Sequence, residues 1–189
     1  MTPNAVKVSG GTPRATNPVA ANASHHDSYL VFEVDGQPYA CPIDQIEHLM
    51  LLEDAPLRPS PEGSPSWQVG LLETREEPEG IPTVSLRTLW ALPALPEAAN
   101  RKWQAILIVR LSGRRHALLV DGCRAVLSRL PQKSMRFRFS TALKGVNGRA
   151  FDLAMPWKQS LLVVLNLDEL VKTMSMSREV PAPVLLESR

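Results

Sequence analysis

The sequence predicts an all-β protein on three observations: apolar runs of strand length broken by turn signals, 17 prolines in 189 residues, and an internal repeat that superposes two hairpins. That proline content is about 9%, against roughly 5% on average, and proline is tolerated at strand edges and turns far better than inside helices. Tyr29 to Val34 has the length and the aromatic and β-branched content of a strand, Asp35-Gly36 is a hairpin turn, and Gln37 to Ile43 returns. Ile106 to Leu111, Ser112-Gly113 and Arg115 to Val120 repeat the pattern. Val69 to Thr74, Ile81 to Leu86 and Leu161 to Leu167 add strands, and Gly148 marks a turn before another.

Sliding the chain by 77 positions places Leu30 on Leu107, Val34 on Leu111, Gly36 on Gly113, Ala40 on Ala117, Asp44 on Asp121 and Leu49 on Val126 without a gap. An offset of 81 places Val84-Ser85-Leu86 on Leu165-Asn166-Leu167. Both segments read as a strand entering a short helix, with Ser85 and Asn166 as caps for an orphaned first-turn N–H. Two units are too few for a solenoid, so the repeat predicts two small barrels of about five strands sharing a core.

Three regions follow. Residues 1–27 lack apolar periodicity and are expected to be a disordered tail, 28–172 form the folded domain with subdomains beginning at Tyr29 and near Ile106, and 173–189 form a flexible C-terminal tail. No apolar stretch approaches the roughly 18 residues of a membrane span, and no secretory pattern follows Lys7 and Arg14. Cys41 and Cys123 lie in apolar segments and read as free thiols in a reducing compartment, so a cytoplasmic protein is expected. With 21 basic and 19 acidic residues, neither nucleic acid nor a membrane surface is expected as a partner.

The residues of the repeat also resemble the CheW-like adaptor domain of bacterial chemosensory pathways, over roughly Ser28 to Lys172. The resemblance rests on Tyr29-Leu30-Val31-Phe32 with Gly36 and Tyr39, on the run from Trp67 to Arg75, on Ala117-Leu118-Leu119-Val120-Asp121-Gly122, and on Leu165 to Leu170. It implies two intertwined SH3-like five-stranded barrels, no catalytic residue, no cofactor and no metal. It also implies two partners, the cytoplasmic tip of a chemoreceptor and the regulatory domain of a CheA-type histidine kinase, with flagellar and pilus-motility outputs both open. Three departures stand out. The turn after Arg75 is about two residues longer than usual and carries Glu76, Glu77 and Glu79, Ser85 replaces an aspartate, and His48 replaces a glutamate.

Ile46, Gly70 and Arg75 match the family's receptor-binding positions, where an apolar groove crossed by one arginine suits a helical tip. Singly they read as core, backbone necessity and solvated turn charge; in the family's order the binding reading is favoured. Residues 53–79 hold seven carboxylates against Arg58 and Arg75, whereas residues 129–149 hold six basic groups and no acid. Glu76, Glu77 and Glu79 on one flank, and Arg136 and Arg138 on the other, are expected to make kinase or array contacts, since opposite fields steer association. An alternative reading is a small-barrel nucleic-acid-binding module that stacks bases on Phe137 and Phe139 beside those arginines. The same period also fits a strand with its aromatics inward, which is the favoured account. Asp44 and Asp121, and His48 and His116, make no catalytic constellation, and the first pair matches because the hairpins repeat.

Overall fold

The computed structural model describes residues 28–95, 103–111, 113–130 and 150–176. Eleven strands are described: β1 (Tyr29–Val34), β2 (Gln37–Pro42), β3 (Ile46–Leu51), β4 (Leu57–Arg58), β5 (Gln68–Leu72), β6 (Ile81–Ser85), β7 (Ala105–Leu111), β8 (Arg114–Val120), β9 (Gly122–Leu127), β10 (Phe151–Trp157) and β11 (Ser160–Leu165). Two helices, α1 (Leu86–Leu89) and α2 (Leu167–Met176), follow β6 and β11. Helix α2 thus continues four residues past Lys172, where the sequence places the end of the fold.

The strands form two curled sheets, one of five in the order β10-β11-β2-β1-β9 and one of six in the order β3-β7-β8-β6-β5-β4. The two are the SH3-like subdomains; the sixth strand is β4, a two-residue edge the sequence does not signal. The sheets do not divide the chain at Tyr29 and Ile106, as intertwined barrels imply. The six-stranded sheet begins at Ile46 and includes the whole β7–β8 hairpin, while the five-stranded sheet takes the β1–β2 hairpin from one end of the domain and β9 to β11 from the other. Each hairpin is therefore inserted into the other half's sheet. Pro42 ends β2 without an N–H to extend the ladder, and the 3₁₀ turn Ile43–Gln45 turns the chain away, pinned by the Ile43 N–H donating to the Ser28 carbonyl at 3.0 Å.

Two parallel contacts seat the hairpins at corresponding places, β2 beside β11 and β8 beside β6. Asp35 and Gly36 both have positive φ, as a two-residue hairpin turn of primed type requires. Both caps form as the repeat predicts: Ser85 Oγ accepts from the Thr88 N–H at 3.3 Å, and Asn166 Oδ1 accepts from the Glu169 N–H at 3.1 Å.

Three apolar clusters explain the near-continuous hydrophobic runs. Leu30, Phe32 and Val34 of β1 meet Leu107, Val109 and Leu111 of β7 between the sheets, joined by Leu167, Leu170 and Met174 of α2. Tyr29 and Val31 face inward with Met155 and Leu162 in one barrel, and Ile106 and Ile108 with Leu72 and Ile81 in the other. A strand buried on both faces needs no polar alternation, so β1 and β7 are apolar throughout their centres.

Candidate functional site

The site lies on the six-stranded sheet, where β5 leads into the acidic turn. Gly70 is buried in β5 beneath β4: a Cβ there would lie 2.7 Å from the Arg58 carbonyl oxygen and 2.8 Å from Leu57 Cγ. The close approach of the two paired backbones accounts for the glycine. Arg75 is exposed in the bend that follows β5. Ile46 begins the edge strand β3, half-buried against the inter-sheet core.

In strand order β3 and β5 are separated by three strands, yet one side chain connects their neighbourhoods. Arg115 of β8 donates from Nε to Glu47 Oε2 at 2.5 Å and from Nη1 to Glu76, with Glu77 Oε1 at 3.7 Å. Glu47 stands next to Ile46, and Glu76 next to Arg75. The other oxygen of Glu47 accepts from Arg110 Nε, and this hydrogen bond leads the pair of guanidinium contacts that hold the Glu47 carboxyl below its usual range. Hydrogen bonds to Glu76 and then Glu47 raise the Arg115 pKa above its ordinary value. The far end of the turn is held by Arg58, which donates to the Glu79 carbonyl and approaches Glu73 at 3.6 Å. Inside the turn, the Glu77 N–H donates to Thr74 Oγ1 at 3.1 Å and the Gly80 N–H to the Glu77 carbonyl at 2.9 Å.

Beside this turn opens a cleft of about 380 Å³ between the β5, β6 and β8 region and helix α2. Trp67, Val84, Val171 and Met174 give it an apolar floor, and Glu77, Arg114, Arg115 and His116 a polar rim. Burial, reinforced by Arg114, lowers the His116 pKa, so the ring is neutral at pH 7. An apolar floor with a charged rim suits an amphipathic helix better than a small polar solute. A second opening, of about 720 Å³, lies at the other end of β3, bordered by Leu49, Leu51 and Trp103; Leu49 and Trp103 are 51% and 61% exposed.

A family model for the CheW-like domain matches residues 28–174. The chain belongs to the CheW-like family. No curated protein sequence matches it. The crystal structure of the scaffolding protein TtCheW from Thermoanaerobacter tengcongensis is similar in fold, with a TM-score of 0.60 and 16% identity over 74% of this chain and 88% of that one.

In this CheW-like chain the expected site residues fall into four groups. Ile46 and Arg75 are tied together through Glu47, Arg115 and Glu76. Gly70 lies under β4, so any part it plays in binding passes through the backbone it positions. Arg136 and Arg138, with Phe137 and Phe139 of the nucleic-acid alternative, lie outside the described residues, as do the 1–27 tail, Gly148 and most of 173–189. Glu76 and Glu77 are already paired within the chain; Glu79 is exposed and touches Arg58 only through its carbonyl. Among the described residues no group of three potential metal ligands occurs and no helix is long and apolar enough to cross a membrane. Both cysteines are free thiols.

Sequence reasoning missed Arg115, Glu47 and Arg110, though the repeat held a sign of them. At the 77-residue offset Glu47 falls on Arg124 and Glu33 on Arg110, and both pairs form: Glu47 with Arg110, and Arg124 Nη2 with Glu33 Oε2 at 2.5 Å. It also missed Arg87, buried on α1, which donates to Asp121 Oδ2 at 2.6 Å, Asp35 Oδ1 at 2.7 Å and the Pro93 carbonyl at 2.9 Å. Asp121 accepts from the Asp35 N–H at 2.7 Å as well, so this carboxylate joins the two sheets.

Proposed function

We propose that this chain is a non-enzymatic chemosensory adaptor in the cytoplasm, coupling a chemoreceptor tip to the regulatory domain of a CheA-type histidine kinase. Membership of the CheW-like family over residues 28–174 carries this reading. The geometry supports it: a cleft of mixed apolar and charged lining, bordered by Glu77 of the turn that carries Arg75 and by Arg115, on a frame with three packed cores, gives a helical partner a seat. An adaptor transmits state only through contacts that differ between signalling states, and the exposed Arg75 is the candidate we put forward for such a contact.

The test is a purified pull-down against the kinase regulatory domain and a receptor signalling-tip fragment from the same organism, with Arg75→Ala and Ile46→Ala alongside. Binding that is lost in both variants supports the adaptor reading and the groove. Absence of binding to either partner by the wild-type chain rejects it.

A further inference from the structure

The longer, acidic turn after Arg75 has a place in the structure that the adaptor reading alone does not give it. We infer that Arg115 is a positioning residue: it latches the Glu76–Gly80 turn to strand β3 and thereby fixes Arg75 relative to Ile46 for a helical partner. This rests on the adaptor reading and deepens it.

Arg115 lies on β8, inside the six-stranded sheet, and its side chain is 11% exposed. Its two anchors differ. Glu47 is 21% exposed and shared with Arg110, whereas Glu76 is 69% exposed and held by Arg115. An exposed ion pair is weak and screened by salt, while a partly buried one resists screening. The Glu47 contact is therefore the fixed side of the latch and the Glu76 contact the releasable side. Arg58 and Gly80, at φ +88°, hold the opposite end of the turn, so release at Arg115 leaves the end that begins with Arg75 held by the Glu77 N–H on Thr74 Oγ1. Glu77 also lines the cleft, which makes closure of the turn and the shape of the cleft one event.

Two measurements decide it. The first needs no partner: a glutamate-specific protease at low salt reads opening of the 76–79 turn. Arg115→Ala is expected to raise the cleavage rate about tenfold with an unchanged melting temperature, and Arg115→Lys to fall between, because local opening is sampled ahead of global unfolding. An unchanged rate in Arg115→Ala overturns the latch.

The second measures affinity for the receptor-tip fragment in a mutant cycle. Arg115→Ala and the double variant Glu76→Gln/Glu77→Gln are each expected to weaken binding about tenfold, and the triple variant no further, since residues acting in one unit are non-additive. Losses that add overturn the positioning role and place the partner directly on Arg115. A wild-type chain that binds no receptor fragment rejects the adaptor reading and the positioning role together, while the cleavage assay still judges the latch on its own.

Discussion

The β1–β2 hairpin and the β7–β8 hairpin take matching places in opposite sheets, but their surroundings have diverged in charge. The caps Ser85 and Asn166 match, and so do the parallel contacts of β2 and β8. The cross-strand pair is reversed in sign, glutamate on β3 facing arginine on β7 and arginine on β9 facing glutamate on β1. Arg87 of α1 has Asp168 as its counterpart on α2, so the buried bridge of Arg87 to Asp35 and Asp121 is made once and not by its counterpart. The matching parts are those that close each barrel, and the differing parts are ion pairs at the surface and between the barrels. The Arg115 cluster belongs to the second class: the 77-residue offset puts Pro38 in its counterpart position.

Removing the unmatched bridge tests that contrast most severely. Arg87→Ala leaves Asp121, whose side chain is 14% exposed, without its counter-ion, and a loss of about 3–5 kcal/mol is expected in chemical denaturation. Arg124→Ala breaks a pair whose arginine is 57% exposed and should cost less than about 1 kcal/mol. Equal losses would erase the distinction between the two kinds of ion pair. Gly70→Ala comes next: forcing a Cβ against the β4 backbone should cost about 1–3 kcal/mol and weaken receptor-tip binding only through the displaced β5. A stable Gly70→Ala protein that fails to bind would show that a partner touches this position directly.

The matched caps give a smaller and symmetrical effect. Ser85→Ala and Asn166→Ala should each cost about 1 kcal/mol, read as a shift in denaturation midpoint. The smallest effect is in pH. Burial depresses the native pKa of His116 below 6.5, so the unfolded chain binds more protons just below that value. Stability from this group is complete above pH 6.5 and is lost as pH falls toward the native pKa. His116→Gln should flatten that decline below about pH 6.5, whereas an identical profile would remove His116 as its source.

How far the fold was readable depended on how strands are buried. β1, β2, β7 and β11 sit inside sheets, so their apolar runs stand out. β3 and β9 are edges with an exposed face: Glu47, His48 and Leu49 in one, Arg124 and Val126 in the other, give a mixed pattern that the residues alone do not separate from loop. The exchange of hairpins was implied by the resemblance to intertwined barrels and could not be read from the repeat itself. A repeat shows that two halves are alike without showing whose strands they pair with. Within the site, Ile46 and Arg75 were readable as family positions, while Arg115 and Arg87 act through residues 34 to 68 positions away that no local period reveals.

The placement of β1 and β2 also bears on how the chain is made. Their partners β9 and β11 lie about 90 to 125 residues downstream. At roughly 5–20 residues per second on the ribosome, the hairpin carrying Phe32 and Val31 waits on the order of 5–25 seconds for a strand to pair with. The six-stranded sheet, drawn from one continuous stretch between Ile46 and Val120, has all its strands first. Nascent chains therefore pass through a state in which one barrel is complete while Tyr29 and Val31, which pack on Met155 and Leu162, are still uncovered, the interval in which a chaperone has something to hold.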